Sequence, residues 1–287
     1  MSSASQAPGL RHGQRVEQAW DAQWIVPQWP APPGVRALIT TRAGGFSSGS
    51  FGAIDGAGGM NLSLGSPATP GVATDDALAV ARNRERLRAG LPRMPCWLHQ
   101  VHGASVMDAG GDSAGDPCAA PPQADAAYAI RPEVVCAVLV ADCLPVLLAD
   151  VQGRGVAAAH AGWRGLAAGV LQNTVAALRR GLGDHHARIL AYLGPTIGPA
   201  HFVVGPEVLS QMLGQLPQAR AAFASAGPAQ YRADLCALAR QALAQVQVQV
   251  QDVYGGGLCT YSDPVRFYSF RRDRITGRHA ALIWRQE

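Results

Sequence analysis

Three segments of this 287-residue chain place a potential metal ligand at the end of an apolar run, beside a turn. They are His102 in HQVHG, Cys143 in ADCLP and His160 in HAGWRG. Two imidazoles and one thiolate match the three protein ligands of a catalytic zinc, which leaves a fourth position for water or substrate. Because strand ends hold side chains rigidly while leaving one side open, the pattern predicts a metal site at the ends of strands.

The residue types alone leave other interpretations of these ligands open. The ligand spacings of 41 and 17 residues follow no local rule, and packed histidines and buried cysteines are common in protein cores. His99 is a rival to His102, although residues three apart on an extended segment point to opposite faces. Asp125 and Asp142 are candidates to orient a histidine ligand, and each could equally cap a turn.

Three further polar residues are candidate binding groups. Arg164 follows the glycine-flanked turn of HAGWRG, where free backbone N–H groups at a helix start would favour an anion. Arg42 stands between a strand and a glycine-rich run, and Asn61 lies in MNLSLG. An arginine fork suits phosphate or carboxylate, and an amide suits sugar hydroxyls. Arg164 could also be solvated, and Asn61 could simply fix its own loop.

The composition excludes several classes of protein. All 24 residues counted as lysine or arginine are arginine, which rules out Schiff-base chemistry and a Walker-type phosphate loop. With 48% hydrophobic and 15% charged residues the chain is not disordered, and a net charge of +4 does not suggest nucleic acid. Six cysteines without a CxxC pair predict neither a zinc ribbon nor a disulfide scaffold. Without a signal peptide or a membrane helix in the sequence, we expect a cytoplasmic protein that does not bind membranes.

The hydrophobic pattern predicts strands and helices in mixed order. We expect a flexible N-terminal extension over residues 1–21, one folded domain over 22–287 and a long loop at 42–59. A helix capped by Thr74 is expected at 75–90, and a hairpin around Asp273–Gly277 with a solvated Arg271–Asp273 cluster. The remaining predicted elements are strands at 35–41, 134–150 (two strands broken at 142–145), 155–160 and 187–194, and helices after HAGWRG and at 206–216 and 233–246. The absence of a regular βαβ rhythm favours a mixed α/β or α+β layered domain.

Six ordered segments resemble the laccase-domain purine nucleoside phosphorylase family, also known as polyphenol oxidase or multicopper-oxidase-like proteins and as the peptidoglycan editing factor. The segments are IVPQWPAPPGVRALITTRAGG, CWLHQVHGASV, ADCLPVLLAD, AAAHAGWRGLAAGV, AYLGPTIGPAHFVVGPEV and GGLCTYSDPVRFYSFRRDRITGR. The resemblance implies a single-domain α/β sandwich and a mononuclear zinc on His102, Cys143 and His160. The family pattern does not fix a histidine at position 99, which favours His102 as the ligand. Copper could occupy the same site.

The resemblance also implies phosphorolysis of purine nucleosides, namely adenosine, inosine and methylthioadenosine, with some adenosine deamination at the same metal. The expected partners are therefore nucleoside and phosphate. Phosphorolysis needs phosphate held beneath C1′ while the glycosidic bond loosens. We expect Arg42, Asn61 and Arg164 to contact phosphate or ribose. The open position on the zinc would serve deamination by activating water.

Other activities remain open at this stage. Eight histidines without an HxH motif cannot hold a four-copper assembly, but a single-copper polyphenol oxidase is possible. A cysteine amidase could use Cys143 as nucleophile and His160 as base to remove a wrong amino acid from a UDP-MurNAc peptidoglycan precursor. A purely structural zinc would require a fourth protein ligand, for which Asp142 and His99 are the candidates.

Overall fold

The structure, a computed structural model, describes residues 23–65, 74–111 and 120–287. The predicted N-terminal extension at 1–21 lies outside these residues. The helices are α1 (Ala77–Arg88), α2 (Trp163–Ala167), α3 (Val170–Leu182), α4 (Pro206–Gln215), α5 (Leu235–Gln245) and α6 (Phe270–Asp273). The strands are β1 (Val35–Ile39), β2 (Ala43–Ser47), β3 (Val106–Asp108), β4 (Ala126–Ala129), β5 (Cys136–Val140), β6 (Leu144–Asp150), β7 (Val156–Ala161), β8 (Ile189–Leu193), β9 (Val203–Val204), β10 (Phe223–Gly227), β11 (Gln230–Ala233), β12 (Val253–Gly255) and β13 (His279–Arg285).

Most of these strands belong to two sheets that lie face to face. The larger sheet has the order β12-β8-β6-β7-β4-β3, with antiparallel pairs at its centre and a parallel pair at each edge. The second sheet, β1-β13-β5, is antiparallel throughout. A small antiparallel sheet has the order β10-β11-β9. The mixture of sheets and helices confirms the predicted mixed α/β fold.

Both faces of the larger sheet are buried, because alternate residues along a strand point to opposite sides. On β6, Val146 and Leu148 pack toward α3, α4 and α5, whereas Leu147 and Ala149 pack against the second sheet. The outer face of that second sheet, including Leu282 of β13, packs with α1. The layers therefore run helices, sheet, sheet, helix, which confirms the layered sandwich.

The connection between β5 and β6 determines where the predicted cysteine ligand lies. Only residues 141–143 join the two strands, and they carry the chain from the second sheet to the larger one. Asp142 takes a φ of 82° in this tight crossing. Cys143 consequently stands directly before β6, at an end of the sheet, as the sequence predicted.

The prediction of a long loop at 42–59 is wrong, because this glycine-rich run contains β2. The Gly45 N–H donates to the Gly58 carbonyl at 3.0 Å. A Cβ on Gly45 would collide with the Gly59 carbonyl oxygen, so glycine is needed for the two backbones to lie in contact. The glycines here allow close packing rather than a free loop.

The predicted C-terminal hairpin is also wrong. Ser269 caps α6 by accepting the Arg272 N–H at 3.3 Å, and the chain then enters β13, which pairs with β1 and β5. The Arg271–Asp273 cluster is not solvated as predicted, because the Arg272 guanidinium donates to the carbonyl oxygens of Thr260 and Tyr261 at 2.8 and 2.9 Å. The short capped helix α6 therefore stands where the turn of the hairpin was expected.

Two helix boundaries also differ from the prediction. Asp76, not Thr74, caps α1, because its side chain accepts the Leu78 N–H. The helix expected after HAGWRG is split into α2 and α3 at Gly169, whose φ of 83° cannot continue a right-handed helix. None of the helices in the described ranges is long and apolar enough to cross a membrane.

Candidate metal centre

The structure brings His102, Cys143 and His160 together at one end of the larger sheet. Their ligand atoms all lie within 4.8 Å of one another. His160 is on β7, where it pairs with Pro145 of β6, two residues beyond Cys143. His102 approaches from the loop before β3, and its ring centroid is 4.8 Å from that of His160. Ligand atoms of a tetrahedral zinc are roughly 3.3–3.8 Å apart, so the three side chains need to close only slightly around a metal.

Asp125, which is fully buried, holds both histidines in place. One carboxylate oxygen lies 2.8 Å from Nδ1 of His160, which leaves the Nε2 atom of that ring for a metal. The same carboxylate accepts the backbone N–H groups of Val101, His102 and Gly103 at 3.2, 2.9 and 2.7 Å. These bonds stabilise the left-handed φ of 61° at His102. Asp125 therefore has the histidine-orienting position that the sequence suggested.

The negative charge of the Cys143 thiolate and the positive charge of His160 stabilise each other. Burial alone raises the pKa of the Cys143 thiol, but the charge of His160 and hydrogen bonds from both histidines outweigh it and lower that pKa. Burial alone lowers the pKa of His160, but the Cys143 charge and the hydrogen bond to Asp125 raise it overall. A thiolate is the form of cysteine that binds metals. His160 must release its second ring proton before it can bind one, so metal binding at this cluster would release a proton.

Two glycines, one in the β7–α2 turn and one inside α2, allow the chain to pack closely around the cluster. A Cβ on Gly162 would lie 2.9 Å from Sγ of Cys143 and 3.2 Å from Cδ2 of His102. A Cβ on Gly165 would lie 3.1 Å from the Gly103 carbonyl oxygen. Any larger residue at Gly162 would push against two of the candidate metal ligands at once.

The cluster has three protein ligands and an open side. His102 and His99 are both exposed. Of these two histidines, only His102 belongs to the metal-ligand cluster found among the described residues. The Asp142 carboxylate accepts hydrogen bonds from Thr260 Oγ1 and the Arg271 N–H, both at 2.6 Å, and does not orient a histidine. Neither candidate fourth ligand belongs to the cluster. Three ligands with one exposed side fit a metal with an open position better than a closed structural site.

The predicted substrate-binding residues lie in different surroundings. Arg42 is buried: its Nε donates to the Gly52 carbonyl at 2.8 Å, and its guanidinium lies 3.5 Å from the Asp273 carboxylate. Arg164 is exposed on α2, and its guanidinium carbon lies 4.4 Å from the centroid of the Trp163 ring. Arg164 would have to leave the Trp163 ring to reach a ligand, whereas Arg42 would have to break a hydrogen bond and an ion pair.

Asn61 is buried, and both ends of its amide already have partners. Its nitrogen donates to Ser63 O and Asp75 Oδ2, and its oxygen accepts the N–H groups of Ser63 and Arg278. A substrate-binding role for Asn61 stays a prediction, and it requires one of these bonds to break. The bond to Arg278 identifies a residue that sequence reasoning missed. The only local signal is the RITGR segment, whose pattern predicts a hairpin.

Comparison with known proteins places the chain among well-defined relatives. The family model described as multi-copper polyphenol oxidoreductase laccase matches residues 36–286. The chain is 45% identical to a purine nucleoside phosphorylase of Pseudomonas aeruginosa, over 92% of this chain and 99% of that protein. It is also 45% identical to the purine nucleoside phosphorylase YfiH of Escherichia coli, over 91% and 98%. Among solved structures, YlmD from Geobacillus stearothermophilus is similar with a TM-score of 0.82 and 30% identity, over 93% of this chain and 98% of that one. Protein NMB0706 of Neisseria meningitidis is similar with a TM-score of 0.77 and 42% identity, over 92% and 100%.

Proposed function

The chain belongs to the multi-copper polyphenol oxidoreductase laccase family, and from this premise we propose that it is a zinc-dependent purine nucleoside phosphorylase. It cleaves adenosine, inosine and methylthioadenosine with phosphate to the free base and ribose 1-phosphate, and it also deaminates adenosine. The observation that carries the proposal is the open cluster of His102, Cys143 and His160, in a chain 45% identical to proteins named purine nucleoside phosphorylase. The one three-ligand cluster found among the described residues gives no support to a multicopper oxidase.

The residues of the centre have distinct tasks in this proposal. His102, Cys143 and His160 hold the zinc, which supplies Lewis acidity when bound. Asp125 fixes the His160 ring through Nδ1 and fixes the His102 backbone, so the ligands are positioned before the metal and substrate arrive. This rigidity matters because phosphorolysis depends mainly on holding phosphate and nucleoside in line at C1′.

Substrate contacts complete the proposal. Arg164 is exposed four residues after His160 and can turn its fork toward the phosphate or the ribose. Arg42 and Asn61 contribute if substrate replaces a bond that each makes within the protein. Copper could bind the same three ligands, since their donor atoms suit both metals.

Chromatography of reaction products tests the proposal. Purified protein with a measured zinc content is incubated with inosine or adenosine, with and without phosphate. We expect release of hypoxanthine or adenine that depends on phosphate, and its loss in Cys143→Ala while Cys96→Ala, a half-buried thiol elsewhere in the fold, remains active. A folded, fully zinc-loaded protein that releases no base would overturn the phosphorylase assignment.

The lowered pKa of Cys143 beside His160 also supports a second candidate, the cysteine amidase that acts on UDP-MurNAc precursors. In that reaction Cys143 would attack the amide carbon, and His160 would protonate the leaving amine. An alkylating reagent distinguishes the two. Labelling of Cys143 in the metal-loaded protein favours the amidase, whereas protection by metal and labelling only after chelation favour the phosphorylase.

A further inference from the structure

Arg278 provides a positive charge beside the metal centre that the proposed function has not used. It stands directly before β13, whose register pairs His279 with Val140 at the end of β5. Continuing this antiparallel register by one residue sets Arg278 opposite Ala141. Because Ala141 is only two residues from Cys143, the sheet brings the backbone of Arg278 close to the turn that carries Cys143.

Helix α6 places Arg278 in the same position from the other side. The Arg271 N–H donates to Asp142 Oδ2 at 2.6 Å, which fixes the start of α6 against the turn that carries Cys143. The neighbouring Phe270 ring has its centroid 5.8 Å from the guanidinium carbon of Arg278. Burial lowers the pKa of Arg278, and the charges of Cys143 and Asp142 oppose that effect.

The guanidinium of Arg278 is held in place but not neutralised by a direct ion pair. Its Nη1 atom donates to the carbonyl oxygens of Thr276 and Gly277 at 3.4 and 3.1 Å, and Asn61 accepts its backbone N–H at 2.9 Å. Within the described ranges, no carboxylate lies within ion-pair distance of it. Both oxygens of the nearby Asp142 already accept bonds from other residues.

A half-buried guanidinium without a carboxylate partner is costly unless a ligand supplies the negative charge. Arg42, by contrast, is paired with Asp273. Arg164 is exposed to water. The Nε and Nη2 donors of Arg278 form the planar fork that matches two oxygens of a phosphate. We propose that Arg278 binds inorganic phosphate beside the metal centre; that this phosphate is the attacking co-substrate rests on the proposed function.

Phosphate-dependent thermal unfolding tests this site without relying on catalysis. Metal-quantified wild type, Arg278→Gln, Arg278→Lys and the control Arg86→Gln are titrated with inorganic phosphate at constant ionic strength. Arg86 is an exposed arginine on α1, so its removal changes the net charge by the same amount away from the centre. We expect phosphate to raise the midpoint of wild type and Arg86→Gln, and Arg278→Gln to need at least about tenfold more phosphate. Arg278→Lys should lie between them, because lysine keeps the charge but loses the fork.

Several results would overturn the site. One is a wild-type phosphate response in Arg278→Gln at equal metal content, and another is an equal loss in Arg86→Gln. A third is that acetate, titrated in a parallel arm, stabilises the protein as well as phosphate does. If Arg278→Gln does not fold, Arg278→Lys decides, and a wild-type response there overturns the site.

Kinetics separate this site from the proposed function. We expect the KM for phosphate to rise at least about tenfold in Arg278→Gln while the KM for nucleoside changes less. A wild type that releases no base but is stabilised by phosphate through Arg278 keeps the site and removes the phosphorylase reaction. A variant with unchanged phosphate KM and normal base release keeps the reaction and removes the site.

Discussion

At the scale of single residues, Asp125 determines the geometry of the centre. Its carboxylate bonds the ring of one ligand, His160, and the backbone that carries another, His102. Burial alone raises the pKa of Asp125, but the hydrogen bonds from His160 and the Gly103 N–H outweigh it and lower that pKa. A negative charge therefore stands behind two of the proposed ligands, which is how outer residues commonly tune a metal site.

Asp125→Asn should weaken metal binding by roughly 10–100-fold. Both oxygens of Asp125 accept hydrogen bonds, but the side chain of asparagine has only one oxygen. Either Nδ1 of His160 or an N–H of the His102 loop therefore faces an NH2 group and loses its acceptor. The free energy of unfolding should also fall by about 1–3 kcal/mol. Competition with a chelator of known affinity measures the first effect, and urea unfolding measures the second. Asp184→Asn, which removes a partly exposed carboxylate paired with Arg154, is the control and should leave metal affinity unchanged. Equal metal affinity in Asp125→Asn and wild type would contradict this role.

At the scale of elements, the ligands are positioned by turns that follow or precede buried strands. The three-residue crossing from β5 to β6 places Cys143 against β7, and the β7–α2 turn passes over it with Gly162 in contact. The strands that adjoin these two turns are hydrogen-bonded within their sheets, so the turns have little freedom to adjust.

Gly162→Ala should therefore disturb the metal centre directly. The added methyl group meets Sγ of Cys143 at 2.9 Å, and the strain of such overpacking is about 1–3 kcal/mol. If the ligand moves to relieve it, metal affinity falls by about tenfold or more. Gly214→Ala is a matched control, because a Cβ there has nothing within 4 Å and lies inside α4. Metal titration should separate the two variants, and equal affinities would show that Cys143 is not held as tightly as described.

The same elements explain how much the sequence could predict. Cys143 and His160 were recognisable because each adjoins a continuous apolar run, which is a local pattern. Arg278 was not, since its position depends on β13 pairing with β5, whose residues lie about 140 positions earlier in the chain. The hairpin error has the same origin, because nothing local shows that β13 pairs with β1 and β5 rather than with the segment before it. The Ser269 side chain caps α6 and so stabilises a helix in the segment where the hairpin turn was predicted.

At the scale of the whole molecule, the second sheet contributes to stability through a buried neutral histidine. His279 is 1% exposed at the start of β13, and its Nε2 accepts the Tyr268 N–H at 3.0 Å. Burial, helped by the charges of Arg278 and Arg42, lowers the pKa of His279 to about 3. Between about pH 3 and pH 6.5, His279 is therefore protonated in the unfolded chain but neutral in the folded one.

Acid should destabilise the fold through this residue. An unfolded histidine has a pKa near 6.5, so the unfolded chain takes up the proton first as the pH falls. The contribution of His279 is present above about pH 6.5 and is lost progressively toward pH 3, by about 2 kcal/mol between pH 7 and pH 5. Urea unfolding at several pH values should show a shallower pH dependence in His279→Gln than in wild type. His185→Gln, at an exposed histidine, is the control and should keep the wild-type slope. An unchanged slope in His279→Gln would contradict the prediction.

The central claim, that this fold uses its three-ligand centre for phosphorolysis, is tested most directly by the identity of the sugar product. Phosphorus NMR of metal-quantified protein with inosine and inorganic phosphate distinguishes ribose 1-phosphate from free phosphate, while chromatography follows hypoxanthine. We predict one ribose 1-phosphate for each hypoxanthine released, and neither product from Cys143→Ala. Hypoxanthine with free ribose, or no turnover by a fully loaded protein, would contradict it.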